Sequence, residues 1–203
     1  VSDSASKPEH LAAAELQKYL EKVSGYKMEI VHEAKPEARL IYVGFKDAPE
    51  KLLKDINPRG FVNEEYLIRS DGDQLLIAGG GTRGTLYGVI GYLSDYLNCR
   101  WYTREVTKIP QQKTISLDKI EDRQKPVMEA RQMSYREAYD VQWALHNRIN
   151  HSQIPDSLGS GNIAYPFVHT FYALVSPQKY GKTHPEYFSE VDGKRLIKET
   201  NMG

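Results

Sequence analysis

One cysteine, no long apolar run and no surplus of either charge define this 203-residue chain by what it lacks. Cys99 alone cannot form an internal disulfide, and it leaves the redox compartment undecided. No stretch of about eighteen apolar residues is present, so no membrane span is expected. Lys+Arg and Asp+Glu balance at 27 each, which removes the basic footprint that nucleic-acid binding normally leaves. The six histidines, His10, His32, His146, His151, His169 and His184, make no H-E-x-x-H or paired-cysteine pattern, so neither a metal nor any other cofactor is expected. No repeat, low-complexity tract or signal peptide is visible. The start Val1-Ser2-Asp3, without Met, is expected of a processed or trimmed end, and Thr200-Asn201-Met202-Gly203 reads as a cut end.

What is present suits a globular protein of one large or two small domains: 40% hydrophobic residues, with 14 Tyr. Ser6 and Glu9 form a capping box at the head of a helix that tolerates Pro8 in its first turn. Leu16, Leu20 and Val23 follow at helical spacing, and Gly25 can supply a left-handed cap. Residues 27–31 and 39–43 read as strands. Residues 65–70 and 73–78 flank Asp71-Gly72, a hairpin signal. A second helix is expected over about 82–97, and short strands near 99–102 and 114–117. Alternating elements of this kind predict a small mixed sheet with two main helices on one face. Residues 118–125 are charged and aperiodic, and Pro126 closes them as it would a linker. Beyond lie a strand candidate at 127–135, a helix over about 139–150, a Gly/Ser-rich loop at 157–161 and an Asp192-Gly193 turn.

Four patterns bear on chemistry. Gly79-Gly80-Gly81-Thr82-Arg83-Gly84 fits G-x-G-x-x-G between a strand and a helix, the context of a dinucleotide-binding turn. The preceding strand is a hairpin arm, however, and the acidic residue needed about twenty positions on could only be Glu105; a tight strand-to-helix turn is the competing reading. Ser176-Pro177-Gln178-Lys179 spells the S-x-x-K of a serine nucleophile with a lysine base, without the companion motifs. Asn150-His151-Ser152 is a formal glycosylation sequon. Tyr135-Arg136-Glu137 falls at the end of an expected strand, where a barrel would present residues to its active-site mouth. There Arg136 could hold sugar hydroxyls or a carboxylate, oriented by Glu137 and Asp140. A surface ion pair with acidic residues favouring a helix N-terminus explains the same residues equally well. His169, after Pro166-Phe167-Val168, is either at another strand end or a satisfied core histidine.

The run Leu11 to Leu20, followed by Ile41-Tyr42-Val43-Gly44, resembles the accessory α/β domain preceding the barrel in glycoside hydrolase families 20 and 67. Arg83 to Val89 with Leu97-Asn98-Cys99-Arg100-Trp101 is similar to a large bacterial family once known only as a domain of unknown function. Part of that family is now placed in glycoside hydrolase family 163, endo-β-N-acetylglucosaminidases acting on N-glycans and typical of gut Bacteroidetes. Tyr135-Arg136-Glu137, Asn147-Arg148-Ile149-Asn150, His169-Thr170-Phe171 and His184-Pro185-Glu186-Tyr187-Phe188 fit the same family. The resemblance implies an accessory domain over 1–120 and, over 126–203, the first units of an incomplete (β/α)8 barrel. It implies an exported or surface-attached enzyme that hydrolyses glycans, with glucuronidase-like exo-action or a purely glycan-binding module as alternatives. It carries a substrate-side role to Arg136, and it places Glu137 and His169 in matching motifs. A barrel needs about 250 residues, and the stretch from Pro126 supplies roughly a third of that. The catalytic carboxylates and the remainder of the barrel are therefore expected outside this chain, which alone is expected to be inactive.

Overall fold

The computed structural model describes residues 1–33, 39–151, 153–159, 161 and 170–197. They fall into two compact units, Val1–Asn162 and Ile163–Gly203.

In the first unit, helix α1 (Lys7–Ser24) starts as its sequence dictates: Ser6 accepts from the Glu9 N–H and the Glu9 carboxylate reaches back to Ser6. Gly25 ends it at φ 78°, a left-handed conformation that costs glycine little. Strand β1 (Ile41–Val43) pairs in parallel with β3 (Gln74–Gly79), which is the second arm of a hairpin with β2 (Tyr66–Asp71). Between β1 and β2 lies the short helix α2 (Glu50–Leu53). Helix α3 (Gly84–Gly91) follows β3 and runs into a π-helical turn, Tyr92–Tyr96. Strands β4 (Arg100–Trp101) and β5 (Thr107–Lys108) make a separate ribbon, and β6 (Glu121–Gln124) completes the main sheet in the order β1-β3-β2-β6.

Strand alternation divides the core. Tyr66, Ile68, Leu75 and Ile77 pack with α1 and α3 through Leu16, Leu20, Leu86 and Ile90. Leu67, Leu76 and Ala78 face the other way, onto Leu52 and Phe61. Each buried aliphatic side chain contributes about 1.5–3 kcal/mol. The expected mixed sheet with two main helices on one face is therefore the observed architecture, an α+β fold.

Several expectations fail locally. Residues 27–31 form no ladder; Gln17 Nε2 takes the Met28 carbonyl at 2.6 Å and the N-terminal amine takes that of Val31 at 3.1 Å. Residues 114–117 are not a strand, and the partner of β4 is β5 instead. Within the supposed linker, 121–124 is the edge strand β6. Its polar side chains disguise it, because they are held across the sheet: Arg69 forks Glu121 at 2.6 Å, and Arg123 meets Glu65 at 2.8 Å.

Residues 127–135 are not a strand, and Val127, Met128 and Met133 are exposed. A barrel strand needs a ladder on both sides, and among the described residues none is offered. The helix expected over 139–150 is shorter: a 3-10 turn, Arg136–Tyr139, leads into α4 (Val141–His146), capped by Asp140. Arg148 at φ 56° turns the chain out of the helix. No strand occurs among the described residues between 126 and 161, so the incomplete barrel is not seen there.

The second unit holds the one-turn helices α5 (Phe171–Leu174) and α6 (Pro177–Tyr180), a 3-10 turn at Pro185–Tyr187 and a hairpin of β7 (Glu190–Val191) with β8 (Lys194–Arg195). Asp192 and Gly193 make its turn with φ 51° and 69°, the positive values that a two-residue hairpin demands.

Candidate functional site

The glycine-rich turn between β3 and α3 is closed by protein. A Cβ on Gly79 or Gly84 would lie 2.5 Å from the Glu65 carbonyl oxygen, and one on Gly80 2.6 Å from the Phe61 Cβ. A Cβ on Gly81, at φ 63°, would overlap Asn63. These glycines let two backbones touch, and the space a pyrophosphate would occupy is filled by residues 61–65. The tight-turn reading holds.

That close approach delivers Glu64 into the interior. Its backbone is left-handed (φ 65°), unusual for a residue with a side chain, and its side chain is 3% exposed. Three partners converge on the carboxylate. Arg83, 2% exposed, pairs with Oε1 and Arg131 with Oε2. Asn150 Nδ2 lies 3.1 and 3.2 Å from the two oxygens. The Nε and Nη1 groups of Arg83 have no hydrogen-bond partner among the described residues; its guanidinium lies 5.8 Å from the Tyr87 ring centre. Burial pushes the Tyr87 hydroxyl up to about 12.

The segment Asn147 to Asn150 is a set of anchors. Asn147 Nδ2 donates to the Trp101 carbonyl at 3.2 Å. Arg148 Nη1 donates to the Tyr66 hydroxyl at 2.8 Å, and the Ile149 carbonyl accepts from the Tyr87 hydroxyl at 3.2 Å. Asn150, wholly buried, accepts from the Arg131 N–H at 2.7 Å and donates to the Glu129 carbonyl at 2.7 Å. Its amide is committed, so the sequon has no room for a glycan in the folded protein. These contacts link residues 19 to 86 positions apart, and no local pattern in the sequence signals them.

The Arg136–Tyr139 turn is held next to this set. His151 Nε2 donates to the Ala138 carbonyl at 2.7 Å, and His151 Nδ1 accepts from the Gln153 N–H at 3.0 Å. Arg136 is exposed and its side chain makes no hydrogen bond or ion pair among the described residues, while Glu137 is half-buried. The Asp140 carboxylate is spent on capping α4 through the Trp143 N–H at 2.8 Å, so it does not orient Arg136. Tyr135 and Tyr139, 48% and 57% exposed, flank the turn. His169 lies outside the described residues.

The second unit settles two further patterns. Ser176 Oγ donates to Gln178 Oε1 at 2.6 Å, and Lys179 Nζ sits over the Tyr180 ring, so no serine–lysine pair forms. In the His184 to Phe188 motif the imidazole stacks on Tyr187 at 4.7 Å and meets Glu186 at 3.0 Å. Among the described residues no cluster of three metal-ligating side chains exists, and no helix is long and apolar enough to cross a membrane.

Residues 1–92 match the family model of the glycosyl hydrolase family 67 N-terminus, and residues 101–200 match that of a domain of unknown function (DUF4838). No curated protein matches. Among solved structures, the fold is similar to a family GH115 4-O-methyl-α-glucuronidase from Bacteroides with specificity for decorated arabinogalactans. The two are 17% identical with a TM-score of 0.63 over 96% of this chain. The chain spans about a third of that enzyme's length, 34%. These likenesses support a glycoside hydrolase-like N-terminal domain.

Proposed function

We propose that this chain is the front of a glycan hydrolase, with residues 1–120 as accessory domain and 126–203 as the start of a barrel whose catalytic carboxylates lie outside it. The observation that carries the reading is a double likeness: the match of residues 1–92 to the family 67 N-terminus, and the similarity of 96% of the chain to part of a glucuronidase. That likeness favours a glucuronidase-like, exo-acting enzyme over the endo-β-N-acetylglucosaminidase that the resemblance to family 163 suggested. Arg136, Glu137 and His169 are assigned to the substrate side. The support at Arg136 is chemical: an uncommitted guanidinium offers paired donors that suit sugar hydroxyls, and the exposed Tyr135 and Tyr139, close to it in sequence, offer flat apolar faces that suit ring C–H groups. An extracytoplasmic site of action belongs to the same proposal.

The test is hydrolysis by the full-length gene product. Release of 4-O-methyl-glucuronate from decorated arabinogalactan oligosaccharides, with no turnover by the 203-residue chain, is the expected outcome. Cleavage within N-glycans instead would restore the endo-acting reading. Saturable glycan binding with no turnover by the full-length product would make the chain part of a binding module, a reading that the exposed tyrosines also serve.

A further inference from the structure

We infer that His151 is the positioning residue of the Arg136–Glu137 turn, an inference that rests on the substrate-side role proposed for Arg136. The turn has few other fixings. Its single buried residue is Ala138, fully enclosed, while Arg136 and Tyr139 face solvent. Local bonds close the turn on itself: the Ala138 N–H reaches the Tyr135 carbonyl at 2.9 Å, and the Asp140 N–H the Glu137 carbonyl at 3.0 Å. Neither bond ties it to the body of the domain.

The bond from His151 does. The imidazole is buried and both its nitrogens are spoken for: Nδ1 accepts a backbone N–H, which requires its lone pair, so Nε2 carries the proton given to the Ala138 carbonyl. The ring in turn is seated by its neighbour. Asn150 is fixed by Glu64 and by the reciprocal pair with Arg131, whose N–H and carbonyl both bond to it. The buried ionic cluster, Asn150, His151 and the Ala138 carbonyl thus form one run of contacts from the sheet to the turn. A buried carbonyl deprived of its donor is costly to leave unpaired, so the turn would shift or open to find water. The backbone that carries Arg136 would then move with it.

Two measurements test this. In the 203-residue chain, hydrogen exchange at the Ala138 and Asp140 amides reads the turn directly and needs no activity. His151→Ala is expected to speed that exchange about tenfold, the equivalent of one hydrogen bond, while the α1 amides are unchanged; His151→Gln, whose amide can still donate, should restore protection. Unchanged exchange in His151→Ala would overturn the inference.

In the full-length gene product acting on glucuronate-capped oligosaccharides, His151→Ala and Arg136→Ala should each raise KM with little change in kcat. The double variant should then be no worse than Arg136→Ala alone, since one residue acts through the other. Additive effects would overturn the positioning role. If Arg136→Ala leaves KM untouched, the substrate-side reading of that residue fails, whatever the exchange data show.

Discussion

The imidazole of His146 lies flat on the indole of Trp101, their centres 4.5 Å apart and 7° from parallel. Its Nε2 meets Glu15 Oε2 at 2.8 Å, and Tyr19 closes the group edge-on while accepting the Trp101 N–H at 2.7 Å. One histidine at the end of α4 therefore joins α1 to the β4–β5 ribbon. Burial pushes the Glu15 carboxyl up, but the bonds from His146 and Lys18 outweigh it and hold the group below the usual carboxylate range.

Replacing His146 by Ala should destabilise the chain by about 1–3 kcal/mol, from a lost hydrogen bond to a charged group and a lost ring contact. A fall in the urea midpoint at constant slope checks this; an unchanged midpoint would show the stack to be incidental.

Glu64→Gln should cost more, about 3–5 kcal/mol, because Arg83 would be left buried without its counter-charge. Equilibrium denaturation of that variant beside Glu121→Gln makes the comparison. Glu121 also pairs with an arginine but is half-exposed, and its loss should cost no more than about 1 kcal/mol.

Acid sensitivity has a marker in Glu65. Burial raises its carboxyl, yet the Val62 N–H and Arg123 together hold it below the ordinary value of 4.5. A depressed folded value adds stability that is complete above about 4.5 and is lost as pH falls through the folded value. Glu65→Gln should therefore flatten the decline in stability below that pH, and an identical acid limb would refute the assignment.

Two glycines separate strain from crowding. At Gly25 a Cβ meets nothing within 4 Å, so Gly25→Ala bears only the left-handed conformation, about 1–2 kcal/mol. Gly79→Ala would drive a methyl group into the Glu65 carbonyl and the α3 backbone. It should lose more than about 4 kcal/mol or fail to fold.

The parts legible in the sequence are those whose cause is local. Ser6 with Glu9 announces α1, Asp71-Gly72 the hairpin, and the glycines at 79–84 the entry to α3. Strand β6 escaped because its side chains are polar on both faces and are explained only by Arg69 and Glu65, more than fifty positions earlier. The stretch 127–135 has the apolar content of a strand, yet strand formation depends on a partner that no pattern within the stretch can reveal. Arg136 and Glu137 could be singled out by type and place; His151 could not, because its importance lies in which carbonyl it meets.

The anchoring of Asn147 to Asn150 bears on how such a protein can be recombined. A gene fusion that swapped modules at Pro126 would carry Glu64 and Arg83 into a new context without Arg131 and Asn150. Recipients would inherit a Glu64–Arg83 pair stripped of two of the three partners of the carboxylate, a polar centre left short of hydrogen bonds. A crossover beyond position 161 would carry the whole cluster intact, so lineages that exchange this module should show their breakpoints there.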